Sequence, residues 1–361
     1  MSRESLRVPQ RVGIRSAPPA MWSSADRRAW EDARRPAVRL ERGGAAGHMK
    51  PVTLSDLERR YGYFVDHLIR KGVVFDAVGQ AQAGAYITPG HVQTYVEELK
   101  ARVSSVTVYG SISKLYRIAR LIAPDRDFGW LSEIEKDLRA ERRPKRKSHR
   151  IVLSPVLRKA GLAQMVAAEQ ASGLTDNERA RRFRNGLMLV LLAPMPNRIK
   201  NFASLELGLS IRQVRGDWWI TLNEDETKEG RPDERRIPPR LYVYLNRYLE
   251  AHRAVLLRKG VPTRALWIGR TGAAMKYCSI QETITDTVYE ATNVKVSPHL
   301  FRASGATTAA ILAPEQPALG TALLNQRDPR TTELHYKRAK CIAASMVFSS
   351  MIDQCEKEKS E

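Results

Sequence analysis

The chain has 361 residues, of which 43% are apolar and 27% charged, and it carries 60 Lys and Arg against 39 Asp and Glu, a formal net charge of +21. Such a composition excludes a disordered chain, and the length suits two domains, with a third possible. The positive excess calls for a partner covered in negative charge, nucleic acid first and an anionic membrane surface second. No stretch of about eighteen apolar residues is present, so a membrane span is not expected. The three cysteines, Cys278, Cys341 and Cys355, lie far apart without a C-x-x-C pair. Neither a disulfide framework nor a zinc ribbon is expected, and a reducing cytoplasm is the default setting.

Residues 1–49 hold ten arginines against five acids, with Pro18–Pro19 and Gly43–Gly44. A basic N-terminal arm fits this composition, and so does a tail packed loosely through Trp22 and Trp30. Residues 50–138 carry a helical period. Leu54, Leu57, Tyr61, Phe64 and Leu68 make one stripe. A second helix opens at Thr88–Pro89 and presents Val92, Val96, Leu99 and Val103, and a third spans Val106–Ile122. A short fourth runs from Trp130 to Arg139. Residues 139–150 form a basic interdomain linker with Arg139, Arg142, Arg143, Lys145, Arg146, Lys147 and Arg150. Lying between two domains of a basic protein, this strap is expected to follow a phosphate backbone.

From 151 to 340 the pattern mixes helices with a small sheet. Asn177–Ala193 is a strongly apolar helix. Gly216–Leu222 alternates as a strand, 223–226 can turn, and 235–237 can return antiparallel. Helices resume at Leu241–Leu257, Ser279–Ala291 and Pro298–Leu312. The expected class is mainly α with a small antiparallel β-sheet.

The strongest local signal is Ser297-Pro298-His299-Leu300-Phe301-Arg302. Ser297 suits an N-cap and Pro298 the first helical position. His299 and Arg302 then stand one turn apart near a helix N-terminus, an arrangement suited to a phosphate. Asn197 is placed to cap the helix that carries Arg198. Lys228 sits where a strand approaches a Gly/Pro turn. Asp328 and Pro329 open a short helix that reaches Tyr336. A free phenol titrates near ~10 and attacks poorly unless its anion is stabilised.

In chain order, Arg198, Lys228, His299-x-x-Arg302 and Tyr336 resemble the signature of the tyrosine recombinase, or phage-type integrase, family. Arg198-Ile-Lys-Asn-Phe-Ala-Ser-Leu205 is similar to the first arginine box. Pro298–Arg302 is similar to the second, and 323–339 to the tyrosine box. The resemblance extends from about residue 50 to 340. It implies a helical core-DNA-binding domain at 50–138 and a catalytic domain at 151–340. The apolar stripe of 341–361 suits a tail helix, which the resemblance implies is exchanged between protomers; the alternative is a helix folded back on its own domain.

The implied activity is site-specific recombination: Tyr336 attacks a DNA phosphodiester and a 3′-phosphotyrosyl bond forms. Arg198 and Arg302 clamp the phosphate, Lys228 protonates the leaving 5′-oxygen, and His299 assists. No metal or cofactor is implied. Implied partners are duplex DNA recombination sites and further copies of the chain, a dimer per site and a tetramer in synapsis, with accessory DNA-bending proteins and no membrane. The place of action is the cytoplasm, at the nucleoid. Integration or excision of a mobile element is the leading role.

The sequence departs from the family pattern at several points. Asn325 and Gln326 stand where Gly-His is usual, and Gln326 is expected to donate a neutral N–H to the phosphate. Asn201 replaces a common acid, and Ala303 a common second His. His335 is set aside as a bystander. A DNA-binding paralogue that has lost catalysis and a relaxing enzyme of the type IB topoisomerase kind are the alternatives.

Overall fold

The computed structural model describes residues 15–39, 41–76, 82–144, 148–227, 230–258, 260–326, 333 and 335–337. Contacts divide the chain into two compact units that meet in sequence between residues 145 and 146, inside the expected linker segment. Among the described residues no helix is long and apolar enough to cross a membrane.

The first unit is helical: α1 (Ser24–Ala33), α2 (Pro51–Arg70), α3 (Pro89–Arg102), α4 (Ser105–Ile122) and α5 (Gly129–Ala140). Three of its starts follow local chemistry. Ser23 and Thr88 accept bonds from Asp26 N–H and His91 N–H, and prolines occupy the first positions of α2 and α3. Its core gathers Tyr61, Phe64, Val92, Tyr95, Ile112 and Ile118, as the helical period requires.

The described part of residues 1–49 departs from the arm expectation. Trp22 and Trp30 are buried in this same core, and the Trp22 ring meets Tyr61 edge-on at 4.7 Å. Asp26 is buried as well, accepting from Tyr61 Oη at 2.8 Å and from Gly84 N–H at 2.6 Å. Two indoles bury enough apolar surface to hold the described part of this basic segment against the domain. Charge composition alone does not register that anchor.

The second unit contains α6 (Ser154–Gln170), α7 (Asp176–Leu192), α8 (Ile199–Ala203), β1 (Ile211–Val214), β2 (Asp217–Leu222) and β3 (Asp233–Arg236). It continues with α9 (Tyr242–Arg247), a π-helical turn at Tyr248–His252, α10 (Arg253–Leu257), α11 (Tyr277–Thr292), α12 (Pro298–Leu312) and α13 (Pro317–Leu323). The sheet is antiparallel in the order β1-β2-β3, with Ile220 of β2 opposite Ile211 and Arg235. The chain is thus mainly α with one small antiparallel sheet, as its sequence suggests.

Helix α7 runs through the middle of this unit's core, with every residue from Leu187 to Leu192 buried. A capping box between Thr175 and Glu178 starts it. It packs on α6 at close range: a Cβ on Gly161 would stand 2.6 Å from the Gly186 carbonyl oxygen, and one on Gly186 2.5 Å from that of Gly161. The sequence pattern misses α6 because its buried stripe is Leu157, Gly161, Met165 and Ala168. Two of those four residues carry almost no apolar signal.

Candidate active site

The site is assembled at Arg302. Helix α12 begins at Pro298, with Ser297 in the extended N-cap conformation but making no side-chain cap bond. His299 is exposed in the first turn, and Arg302, one turn on, is 7% exposed. Nη1 of Arg302 donates to the Pro196 carbonyl at 2.9 Å, and Nη2 to the Leu324 carbonyl at 2.6 Å. Residues distant in sequence therefore meet at one guanidinium: the turn before Arg198, the second arginine box and the carboxyl end of α13.

Packing explains the close approach. Gly305 lies one turn beyond Arg302, and a Cβ there would come within 3.1 Å of Pro196 Cγ and 3.4 Å of Leu323 Cδ2. The missing side chain lets the Pro196 turn and α13 close on α12.

Arg198 is itself the N-cap residue of α8, so the capping role expected of Asn197 is not seen. Asn197 is buried, and among the described residues both its amide nitrogen and its amide oxygen lack a hydrogen-bond partner. The same holds for Ser304 Oγ and for Oε1 of Gln326. Sequence reading gives no sign of these unpaired groups, because nothing in a residue type says that its polar atoms will be stranded. Asn201 is buried on α8, and Ala303 packs against the core.

The departure at Asn325 has a conformational explanation. Asn325 follows the end of α13 with φ of +43°, in the left-handed region. Glycine is the usual residue at such a helix end and asparagine the next most tolerated. Asn325 thus keeps the backbone course that a Gly would give. Its Nδ2 donates to the Pro232 carbonyl at 3.4 Å, which ties this turn to the segment entering β3.

Tyr336 is buried at 4% exposure. Its hydroxyl donates to the Gln316 carbonyl at 2.9 Å and accepts from Gly320 N–H at 3.3 Å. The phenol therefore bridges two backbone groups of the first turn of α13. With a rise of about 1.5 Å per residue, that turn lies roughly 6–12 Å along the helix axis from the carbonyl that Arg302 holds. His335 is more than a neighbour of Tyr336, since its Nδ1 pairs with Thr307 Oγ1 of α12 at 2.9 Å.

Lys228 lies outside the described residues, as do Lys145, Arg146, Lys147 and the 341–361 tail. The flanks of the Lys228 turn are described. Thr227 is buried, and its Oγ1 donates to the Arg231 carbonyl at 2.7 Å. Among the linker residues, Arg139, Arg142 and Arg143 are exposed. The Arg142 guanidinium lies 4.6 Å from the centre of the Tyr109 ring. The Arg150 Nε donates to the Lys295 carbonyl at 2.6 Å, within the second unit. Among the described residues no group of three or more His, Cys, Asp or Glu is arranged to hold a metal ion.

No family model matches the sequence, and no curated protein matches it as a relative. Solved structures do share its fold. XerH site-specific recombinase bound to difH substrate in a pre-cleavage complex aligns with a TM-score of 0.54 at 12% identity, over 82% of this chain and 79% of that one. XerH in a post-cleavage complex with palindromic difH substrate gives 0.52 at 15% identity, over 79% and 75%. XerA recombinase covers 81% of this chain and 89% of its own at 17% identity, with a TM-score of 0.36. The two XerH alignments establish that the chain has the fold of tyrosine site-specific recombinases.

Proposed function

We propose that the protein is a site-specific DNA recombinase that cuts and rejoins duplex DNA through a phosphotyrosyl bond. The observation that supports this reading is the pair of hydrogen bonds from Arg302 to the Pro196 and Leu324 carbonyls, which joins the second arginine box to the turn just before the first and to the start of the tyrosine box.

In the proposed reaction Arg302 and Arg198 hold the non-bridging oxygens of a DNA phosphate. Their planar forks match a phosphate bidentately. Tyr336 Oη attacks phosphorus as the bond to the 5′-oxygen breaks. The phenolic proton leaves with help from His299, and Lys228 supplies the proton that the 5′-oxygen takes up. One phosphodiester replaces another, so the energy of the cut strand is kept and the freed 5′-hydroxyl can attack a partner strand's phosphotyrosine. Gln326 adds a neutral donor. Arg139, Arg142, Arg143, Lys145, Arg146, Lys147 and Arg150 contribute phosphate contacts that weaken steeply with salt.

The described position of Tyr336 sets a requirement on this mechanism. The phenol must leave Gln316 and Gly320 before it can attack. A second reading, a DNA-binding protein without catalysis, draws on that same contact and on Gln326 standing in place of His. A nicked suicide duplex made from DNA flanking the protein's own gene separates the two. The recombinase reading expects a covalent adduct that Tyr336→Phe abolishes while duplex binding persists. Binding without any adduct would leave the second reading standing.

A further inference from the structure

Arg235 stands on β3 with its side chain only 11% exposed. Its Nε and Nη2 donate to the two oxygens of Asp233 at 2.8 and 3.0 Å, and its Nη1 donates to the Leu323 carbonyl at 2.8 Å. The next carbonyl, that of Leu324, belongs to Arg302. Two arginines from different elements thus take consecutive carbonyls at the end of α13. The return bond from Asn325 Nδ2 to the Pro232 carbonyl closes the junction from the other side.

The last carbonyls of a helix have no partner within it and carry the negative end of its dipole, so guanidinium donors bind them well. A single anchor at Leu324 would leave the helix end free to pivot about Arg302. A second anchor one residue away removes that rotation. Asp233 holds the Arg235 fork in plane, which a lysine, with its single ammonium on a flexible stem, would not reproduce.

We propose that Arg235, oriented by Asp233, is a positioning residue for DNA cleavage. It fixes the carboxyl end of α13 against Arg302 and so sets where Gln326 stands. It touches neither the phosphate nor the tyrosine, and its role rests on the recombinase reading above.

The test uses the full chain and the Arg235→Gln and Arg235→Lys variants. Amide exchange over residues 318–326 is expected to quicken at least about tenfold in Arg235→Gln, with α7 and β2 unchanged. Duplex affinity is expected to stay within about threefold, and the rate of adduct formation on the suicide duplex to fall about 100-fold, the cost of a misplacement near 1 Å. Arg235→Lys should fall between the two. Combined with Gln326→Ala, Arg235→Gln should slow the reaction no further than the slower single variant. Unchanged exchange at 318–326, an unchanged adduct rate, additive losses or a loss of protection throughout the second unit would each overturn the proposal. If the unaltered chain forms no Tyr336-dependent adduct, the recombinase reading fails and takes the cleavage role of Arg235 with it. The exchange comparison then still decides whether Arg235 anchors α13.

Discussion

The carboxylate cluster around His67 in the first unit and the carbonyl-bound arginines of the second hold their side chains in different ways. In the first, His67 is fully buried and pairs through Nδ1 with Glu98 at 2.6 Å, while Arg70 reaches Glu98 at 2.8 Å and Asp66 at 2.9 Å. In the second, the buried arginines Arg184, Arg253 and Arg302 donate to main-chain carbonyls: Ile268, Thr263 and Ala265, and Pro196 and Leu324 respectively. A carboxylate fixes a cation and cancels its charge. A carbonyl fixes a guanidinium and leaves its charge in place. The second arrangement brings a guanidinium into the interior, and among the described residues no carboxylate pairs with Arg184 or Arg253. Its cost shows at Arg184, where burial pulls the pKa down to about 10.

The sharpest way to break this contrast is at Arg302. Arg302→Lys keeps a positive charge but cannot hold two carbonyls in fixed geometry. Adduct formation on the suicide duplex is expected to fall by 10²–10³, corresponding to about 3–4 kcal/mol for loss of a preorganised donor. A rate within threefold of the unaltered chain would mean that charge alone matters there.

The next largest effect belongs to the first unit and depends on pH. Burial raises the Glu98 pKa, but bonds from Arg70 and His67 outweigh it and hold the carboxyl at about 2. A depressed carboxyl contributes stability above its unfolded pKa, and that contribution is lost as pH falls from about 4.5 toward 2. Burial also lowers the His67 pKa against the pull of Glu98, so acidification below about 6.5 weakens the same cluster. Glu98→Gln is expected to destabilise the first unit by about 2 kcal/mol at pH 7, with the gap closing at pH 3. Urea unfolding followed by exchange in α2 and α3 measures it. An equal gap at both pH values would show that Glu98 acts through packing.

Smaller again is the effect of the stranded amide. Asn197→Leu replaces two unpaired buried polar atoms by an apolar group of similar shape. It is expected to stabilise the chain by about 1 kcal/mol, a rise in Tm of roughly 2–4 °C for a unit of this size. A fall in Tm would mean that the amide is satisfied in solution. The smallest effect is expected at Asn325, already in the left-handed region. Asn325→Gly should leave Tm nearly unchanged, whereas Asn325→Ala should lower stability by about 1 kcal/mol.

The same contrast explains what could be read from the sequence. Helix α12 was legible to its ends, because Ser297–Pro298 marks its start and the apolar period continues to Leu312. The strand–turn–strand of β2 and β3 was legible from alternation and turn residues. Helix α6 was not, since glycine and alanine make its buried face, and neither was the burial of Trp22 and Trp30 beneath a basic segment. At the site, Arg198, Arg302 and Tyr336 stand out by type and order. Their anchors do not, because Pro196, Leu323 and Leu324 act through carbonyl oxygens that every residue has. Arg235 looked like one more base in a basic strand. Only the fold distinguishes it from Arg236, whose guanidinium pairs with Asp217 at the surface.

The central claim is that a cut DNA strand becomes esterified to Tyr336. Trapping the protein on a nicked suicide duplex, digesting both components and weighing the peptides tests it directly. The account predicts a nucleotide remnant on the peptide that contains Tyr336 and none on any peptide of the Tyr336→Phe chain. A remnant on another residue, or a chain that binds the duplex tightly and leaves every peptide unmodified, would contradict it.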